Sequence, residues 1–186
     1  MKNNVNIIDC TFRDGGYYNN WHFNRNLVNK YFKKIFNSNI SNIEVGFRLP
    51  IKNKINQNYG LHRYTPDYFL KKLKIPKNVN LGLMVNLSDM IKNKNINIAT
   101  CNEFFYEKLP EYSFVRLAVH IHEIHHVSKV VNFLKKKKIK VFVNLMQISE
   151  VKEIDIKHIC KIFNNIRIDC LYVADSMGSL NLKDSK

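Results

Sequence analysis

The sequence lacks the features that mark several large classes of protein. It contains no apolar run near the roughly 20 residues that a membrane-spanning helix needs. It opens on Met1-Lys2-Asn3-Asn4, without the apolar stretch of a signal peptide. Its four cysteines lie far apart and form no CxxC pair, which favours reduced thiols. These absences predict a cytoplasmic protein with no membrane partner.

Acidic residues are also scarce: the sequence contains 15 Asp and Glu but 30 Lys and Arg, which gives a formal net charge of +15. Such an excess raises the question of nucleic-acid binding. However, no zinc-finger spacing or RNP-like aromatic motif accompanies it. The densest run, Lys135 to Lys138, falls where a helix is expected to end and where cations complement the helix dipole. We therefore interpret the lysines as a solvated face and expect no nucleic-acid partner.

Short β-rich runs alternate with amphipathic helical stretches along the whole chain, without a visible linker. We therefore predict a single domain over residues 1–186. Most of the runs are apolar along their length, as in strands covered on both faces, which indicates a parallel sheet. Helices are predicted over 26–37, from Thr65-Pro66, around 103–108, over 124–134 and over 154–163. The predicted strands are Val5–Phe12, Ile43–Phe47, Leu81–Leu87, Phe114–His120, Lys140–Met146 and Asp169–Ala174.

Two α/β architectures fit this order: an open doubly wound sheet, or a (β/α)8 barrel of which about six units are present. The doubly wound fold usually carries a glycine-rich phosphate loop after its first strand. Here that turn reads TFRDGG over residues 11–16, which is charged. Both architectures place functional groups beyond the carboxyl ends of the strands. The polar residues there are Asp9, Arg13, Asp14, Glu44, Arg48, Asn86, Arg116, His120, Asn144, Gln147, Asp175 and Ser176.

The segment DCTFRDGGYYNNW, residues 9–21, resembles the first-strand signature of the DRE-TIM metallolyases. These are (β/α)8 enzymes that include hydroxymethylglutaryl-CoA lyase and 4-hydroxy-2-oxovalerate aldolase. The resemblance continues in order through IEVGFR (43–48), VRLAVH (115–120), VNLM (143–146) and YVADSMGS (172–179). It implies an α/β fold, an incomplete (β/α)8 TIM barrel. It also implies a lyase or aldolase that forms or cleaves a C–C bond next to a 2-oxo acid through a metal-stabilised enolate.

The same resemblance assigns roles to individual residues. Asp14 would ligate a divalent cation, Mg²⁺ or Mn²⁺, and Arg13 would stabilise the enolate oxygen. Glu44 and Asp175 match acidic pocket positions, with roles in substrate orientation or proton transfer. Tyr17 stands where the aldolases carry a catalytic histidine, which makes it a candidate proton shuttle. The candidate substrate-binding residues are Arg116, His120, Asn144 and Ser176.

The chain also departs from the family pattern. The remaining metal ligands of the family, a His-x-His pair on strand seven, have no counterpart before Lys186. We therefore expect strands seven and eight to be missing, as in a truncated enzyme, and metal binding to be weak or absent. An open sheet edge invites a second copy or a complementing chain. The alternative function is a non-catalytic, degenerate barrel that acts as a binding or assembly partner.

One motif competes with this interpretation. The segment HEIHH, residues 122–126, satisfies the H-E-x-x-H pattern of zinc proteases. It begins directly after a predicted strand, and no third ligand at the usual spacing accompanies it. We expect an ordinary helix start there, and a zinc protein is the weakest alternative.

Overall fold

A computed structural model describes residues 6–38, 40–50, 56–106 and 110–181. Within these ranges the strands are β1 (Ile8–Asp9), β2 (Asn42–Phe47), β3 (Asn80–Asn86), β4 (Phe114–Val119), β5 (Lys140–Leu145) and β6 (Cys170–Val173). The α-helices are α1 (Thr11–Asp14), α2 (Gly16–Asn19), α3 (Arg25–Ile35), α4 (Asp67–Leu70), α5 (Leu87–Met90), α6 (Ile98–Phe104), α7 (Ile124–Lys136) and α8 (Glu153–Asn164).

The six strands form one sheet in the order in which they occur along the chain, from β1 to β6. Ile8 of β1 lies opposite Asn42 of β2, and Val143 of β5 lies opposite Leu171 of β6, both in parallel register. A doubly wound sheet reverses its strand order at a switch point, whereas a (β/α) barrel adds each strand beside the previous one. The observed order therefore decides between the two predicted architectures, and the fold is an incomplete α/β TIM-barrel type.

Backbone contacts divide the described residues into two compact units. The first contains the described residues within 1–85 and 102–115, and the second contains those within 86–101 and 116–186. In the first unit, Val28, Phe32 and Ile35 form the buried stripe of α3. In the second, Val127, Val131 and Leu134 form the buried stripe of α7. The single domain expected from the sequence stays a prediction.

Strands β2 to β6 confirm the predicted runs to within one or two residues, but the first predicted strand is wrong in its second half. Thr11 and Phe12 belong to α1 instead. The side chain of Asp9 accepts a hydrogen bond from the Thr11 N–H at 2.8 Å, and the Cys10 carbonyl accepts from Arg13 and Asp14. These local acceptors turn the chain into a helix at this point. Val5 lies outside the described residues.

Two helices of the structure differ from their sequence predictions. The helix opened by Thr65 and Pro66 begins one residue later, at Asp67, with Pro66 as its N-cap. Thr65 instead donates its hydroxyl to the Phe47 carbonyl at 2.6 Å. The helix predicted around 103–108 is wrong in most of its described range: α6 ends at Phe104, and Phe105 and Tyr106 follow it without helical structure. Residues 107 and 108 fall outside the described part. Within the described ranges no helix has the length and apolar character needed to cross a bilayer.

Candidate functional site

The guanidinium of Arg13 lies between two carboxylates at the carboxyl end of β1. Its Nε donates to Oε1 of Glu44, a fully buried residue of β2. Its Nη1 and Nη2 lie 2.6 and 2.9 Å from Oδ1 and Oδ2 of Asp14. A guanidinium has five N–H donors, so two remain for a ligand after these contacts. The sequence-predicted partners Arg13, Asp14 and Glu44 are therefore brought together.

The main chain around Arg13 is also fixed. Trp21 donates its indole N–H to the Arg13 carbonyl at 3.0 Å. The Arg13 side chain is 14% exposed, which leaves an opening toward solvent, and Asp14 is 58% exposed. The site thus presents an oriented cation with one buried and one exposed counter-ion.

A second guanidinium, that of Arg63, lies over the rings of Trp21 and Phe47. The Cζ of Arg63 lies 5.0 Å from the ring centroid of Phe47 and 4.8 Å from that of Trp21, and the Cζ of Arg13 lies 5.7 Å from that of Phe47. Tyr17 packs its ring against Trp21 at 4.8 Å, and its own side chain is exposed. Arg63 makes no ion pair with any residue that the structure describes, so its donors are available to an anion.

Sequence reasoning missed Arg63 for a physical reason. It lies in a short 3₁₀ turn, Leu61–Arg63, well beyond the end of β2. Functional residues of parallel α/β folds are expected close to strand ends, and this turn lies too far along the chain from one. Only the contacts with Trp21 and Phe47 reveal the position of its charge.

The other predicted site residues lie in the second unit. His120 faces Gln147, with Nδ1 and Oε1 2.9 Å apart, and the Gln147 N–H donates to Oγ of Ser176 at 3.2 Å. The two side chains of His120 and Gln147 thus share a hydrogen bond. Gln147 itself takes a left-handed conformation with φ 57°, which is uncommon for a residue other than glycine.

Asp175 follows β6 and closes a turn. Its carboxylate accepts backbone N–H groups from Leu180 at 2.8 Å and from Ser179 at 3.1 Å. These hydrogen bonds, of which the one from Leu180 has the largest effect, hold the pKa of Asp175 below its ordinary value. At neutral pH the carboxylate is therefore ionised, so it accepts hydrogen bonds and has no proton to donate.

The two remaining candidates lie on neighbouring parts of the same unit. Arg116 of β4 is nearly buried, and its Cζ lies 5.7 Å from the ring centroid of Tyr172. Asn144 of β5 stands opposite Tyr172 in the strand register. The predicted site residues thus form two sets, one in each unit, and their combined role stays a prediction.

The described residues do not by themselves fit a divalent cation. Both oxygens of Asp14 are engaged by Arg13, and no three His, Cys, Asp or Glu side chains within the described ranges are arranged to hold a metal. One carboxylate with a cation already bound to it is a poor ligand set for Mg²⁺ or Mn²⁺. Metal binding at Asp14 therefore requires ligands beyond those described.

The H-E-x-x-H segment forms a helix start. Glu123 accepts the His120 N–H at 2.9 Å as part of a capping box. His122 is 80% exposed, whereas His126 is buried in α7, where burial lowers its pKa. The two histidines therefore do not form a shared ligand pair, in agreement with the absence of a metal-holding group among the described residues.

The strand order and the polar groups at the carboxyl ends of the strands place this chain in the class of α/β barrel-type proteins. Among solved structures, the N-terminal domain of a candidate aldolase from Bacteroides vulgatus matches with a TM-score of 0.70 at 22% identity, covering 97% of this chain and 68% of that one. The HMG-CoA lyase of Bacillus subtilis matches with a TM-score of 0.68 at 14% identity, covering 95% of this chain and 60% of that one. These likenesses confirm the fold that the sequence resemblance implied.

The chain therefore spans about two thirds or less of the length of these two structures. No protein-family model matches the sequence, and no curated protein matches it either.

Proposed function

We propose that this chain is a lyase of the aldolase type, which forms or cleaves a C–C bond next to a 2-oxo acid through an enolate. The observation that carries the proposal is the guanidinium of Arg13, oriented by buried Glu44 and by Asp14 with two N–H donors left over. Negative charge grows on the carbonyl oxygen as an enolate forms. A donor already held in place stabilises that charge without reorganising, an effect of about 3 kcal/mol for one such group.

Arg63 is the proposed partner of the substrate carboxylate. Its charge is supported by the faces of Trp21 and Phe47, and no carboxylate among the described residues neutralises it. The enolate of a 2-oxo acid carries two negative charges, and two arginines adjoin Phe47. Arginine is suited to this task because its planar donors match a carboxylate.

The proton-transfer and orienting roles are assigned by position. Tyr17 lies at the exposed edge of the group around Trp21, where its phenol can exchange protons with solvent and substrate. In the proposal Glu44 fixes Arg13. Asp175, kept ionised by its backbone bonds, orients the substrate. Arg116, His120, Asn144 and Ser176, all in the second unit, stay proposed substrate-binding residues because of the sequence resemblance.

A divalent ion would supply Lewis-acid polarisation of the oxo-acid carbonyl, as in the metallolyases that the sequence resembles. Asp14 is the candidate ligand in this chain, and the described residues do not complete the site of such an ion.

The test is binding of oxalate, a planar mimic of the enolate of pyruvate, followed by calorimetry. Arg13→Ala and Arg63→Ala should each weaken oxalate binding about tenfold, the effect of losing one charged hydrogen-bonding partner. Arg167→Ala removes an exposed arginine of the second unit and should leave the affinity unchanged. Wild-type protein that does not bind oxalate, or an Arg13→Ala variant that binds it normally, would contradict the proposal.

A second candidate, an assembly role, is favoured by β6. Among the described residues β6 is the last strand of the sheet, and its Leu171 and Val173 are exposed on one face, 36% and 61% accessible. An edge strand with exposed apolar side chains is a template for pairing with another strand. We propose a second copy of this chain as the partner. Light scattering should then show a dimer that Val173→Lys dissociates, and a monomeric wild type would rule this role out.

A further inference from the structure

The first unit contains a cavity of about 620 Å³ that none of the proposed roles uses. It lies between the start of α3 and the segment 59–73. Its wall is rich in aromatic side chains, which are Trp21, Phe23, Tyr59 and Phe69. Cavities of roughly 300–1,000 Å³ with apolar walls and a few polar groups are typical sites for small molecules.

His62 contributes a buried hydrogen-bond acceptor to this wall. Its side chain is 3% exposed, and its Nδ1 lies 2.7 Å from the carbonyl oxygen of Val45. A carbonyl only accepts, so Nδ1 carries the proton and Nε2 has a free lone pair. Nε2 makes no hydrogen bond with the described residues and keeps some accessible surface, and it belongs to a side chain that lines the cavity.

The imidazole is fixed in orientation and in charge. It stacks on Phe12 at 4.9 Å between centroids and meets the edges of Phe23 and Phe69 at 5.0 and 4.8 Å. Burial lowers the pKa of His62 to about 4, so the ring is neutral near pH 7. It therefore calls for a ligand that donates a hydrogen bond, such as a hydroxyl group.

The rim of the cavity is cationic. Arg25 and Lys72 line it, both are exposed, and neither pairs with a carboxylate among the described residues. No Asp or Glu in the described part of the chain lines the cavity, and the positive end of the α3 dipole lies beside Arg25. An anionic group would be attracted to this rim.

We propose that the cavity binds a small aromatic carboxylate that carries a hydroxyl group. Its ring would pack among Trp21, Phe23 and Phe69, its hydroxyl would donate to Nε2 of His62, and its carboxylate would face Arg25 and Lys72. The cavity shares Trp21 with the Arg13 site but includes neither Arg13 nor Arg63, and its proposed ligand does not depend on the proposed lyase activity.

Trp21 provides the readout, because it lines the cavity and is the single tryptophan of the chain. Its fluorescence would be followed in titrations of the purified chain with 4-hydroxyphenylacetate, phenylacetate and tyramine, and saturation-transfer NMR would confirm binding. Phenylacetate lacks the hydroxyl and should bind about tenfold more weakly, because Nε2 is then left unpaired. Tyramine replaces the anion by a cation and should not bind measurably.

Variants test whether the change in Trp21 fluorescence comes from binding in this cavity. Arg25→Ala and Lys72→Ala alter exposed side chains and should each weaken 4-hydroxyphenylacetate several-fold. Lys71→Ala, an exposed neighbour outside the cavity lining, should leave the affinity unchanged. His62→Phe should abolish the preference for 4-hydroxyphenylacetate over phenylacetate. If it fails to fold, the two rim variants still decide the outcome. Equal affinity for the three probes, rim variants that bind like wild type, or no saturable response in millimolar probe would each overturn the proposal.

Discussion

Arg48 and Asp67 form a buried, two-pronged ion pair in the first unit. Nη2 of Arg48 lies 3.0 Å from Oδ2 of Asp67, and Nη1 lies 3.3 Å from Oδ1. The same guanidinium donates to the carbonyls of Thr65 and Phe104. Arg48 thus ties the end of β2 to α4 and α6. From the sequence this arginine was a polar residue at a strand end, and the structure gives it a structural role.

Removing one partner of this pair should strongly destabilise the protein. Arg48→Met keeps an apolar side chain of similar length but leaves the buried Asp67 carboxylate without its cation. We expect a loss of about 3–5 kcal/mol in the free energy of unfolding, measured by urea titration. Arg25→Met, at an exposed arginine, should change it by less than about 0.5 kcal/mol. A small effect of Arg48→Met would show that the pair contributes little.

His62 predicts a dependence of stability on pH. Its pKa is about 4 in the fold, below the ordinary histidine value of 6.5, because burial disfavours the imidazolium. The unfolded chain therefore takes up a proton near pH 6.5, which the folded chain does not bind until about pH 4. The contribution of His62 to stability is complete above the higher value. It falls by about 1.4 kcal/mol per pH unit within this window, or about 3 kcal/mol in all.

His62→Gln checks this prediction, since glutamine can still donate to the Val45 carbonyl but does not titrate. Urea unfolding of both proteins would be compared above and inside the pH window. The variant should lose the part of the acid sensitivity that comes from His62. Parallel curves for wild type and variant would mean that His62 takes up its proton in the folded state as readily as in the unfolded chain.

The two carboxylates that hold Arg13 should differ in their effect on stability. Glu44 is fully buried, so in Glu44→Gln no water can take the place of the lost carboxylate charge beside Arg13. We expect the free energy of unfolding to fall by about 1–3 kcal/mol. Asp14 is 58% exposed, so Asp14→Asn should cost less than about 1 kcal/mol. Urea titrations of the two variants would test this order, which equal losses would contradict.

Glu44→Gln should also weaken oxalate binding, because Arg13 is then less firmly oriented. The comparison separates stability from function, since Asp14→Asn leaves Glu44 in place to orient the guanidinium. An unchanged oxalate affinity in folded Glu44→Gln protein would count against orientation as the role of Glu44.

The sequence predicts the fold well because its signals are local and repeated. Buried runs such as Ile43–Phe47 and the stripe of α3 follow from the period of their apolar residues, and the structure confirms both. The start of α1 could not be predicted in the same way. It depends on one side-chain acceptor, Asp9, at the end of a very short strand.

The candidate site was only half visible in the sequence, for a similar reason. Arg13, Asp14 and Glu44 could be anticipated because they belong to short motifs, one directly after β1 and one within β2, that resemble those of a known family. Arg63 and His62 could not, since their roles come from rings distant along the chain and from a 3₁₀ turn without a sequence signature.

Gly46 is the residue that allows this 3₁₀ turn to pack against β2. A Cβ at position 46 would overlap the carbonyl oxygen and carbon of His62, and a backbone neighbour cannot swing aside as a flexible side chain does. Gly46→Ala should therefore push the turn away from β2, at a cost of about 1–3 kcal/mol. Because His62 and Arg63 move with the turn, the variant should also bind both 4-hydroxyphenylacetate and oxalate more weakly.

Gly178→Ala is the matched control, since its Cβ would meet nothing within 4 Å and only its φ of +65° opposes the change. That variant should lose about 1 kcal/mol and keep both affinities. Normal binding of both ligands by Gly46→Ala would mean that the close approach of the turn to β2 positions neither His62 nor Arg63.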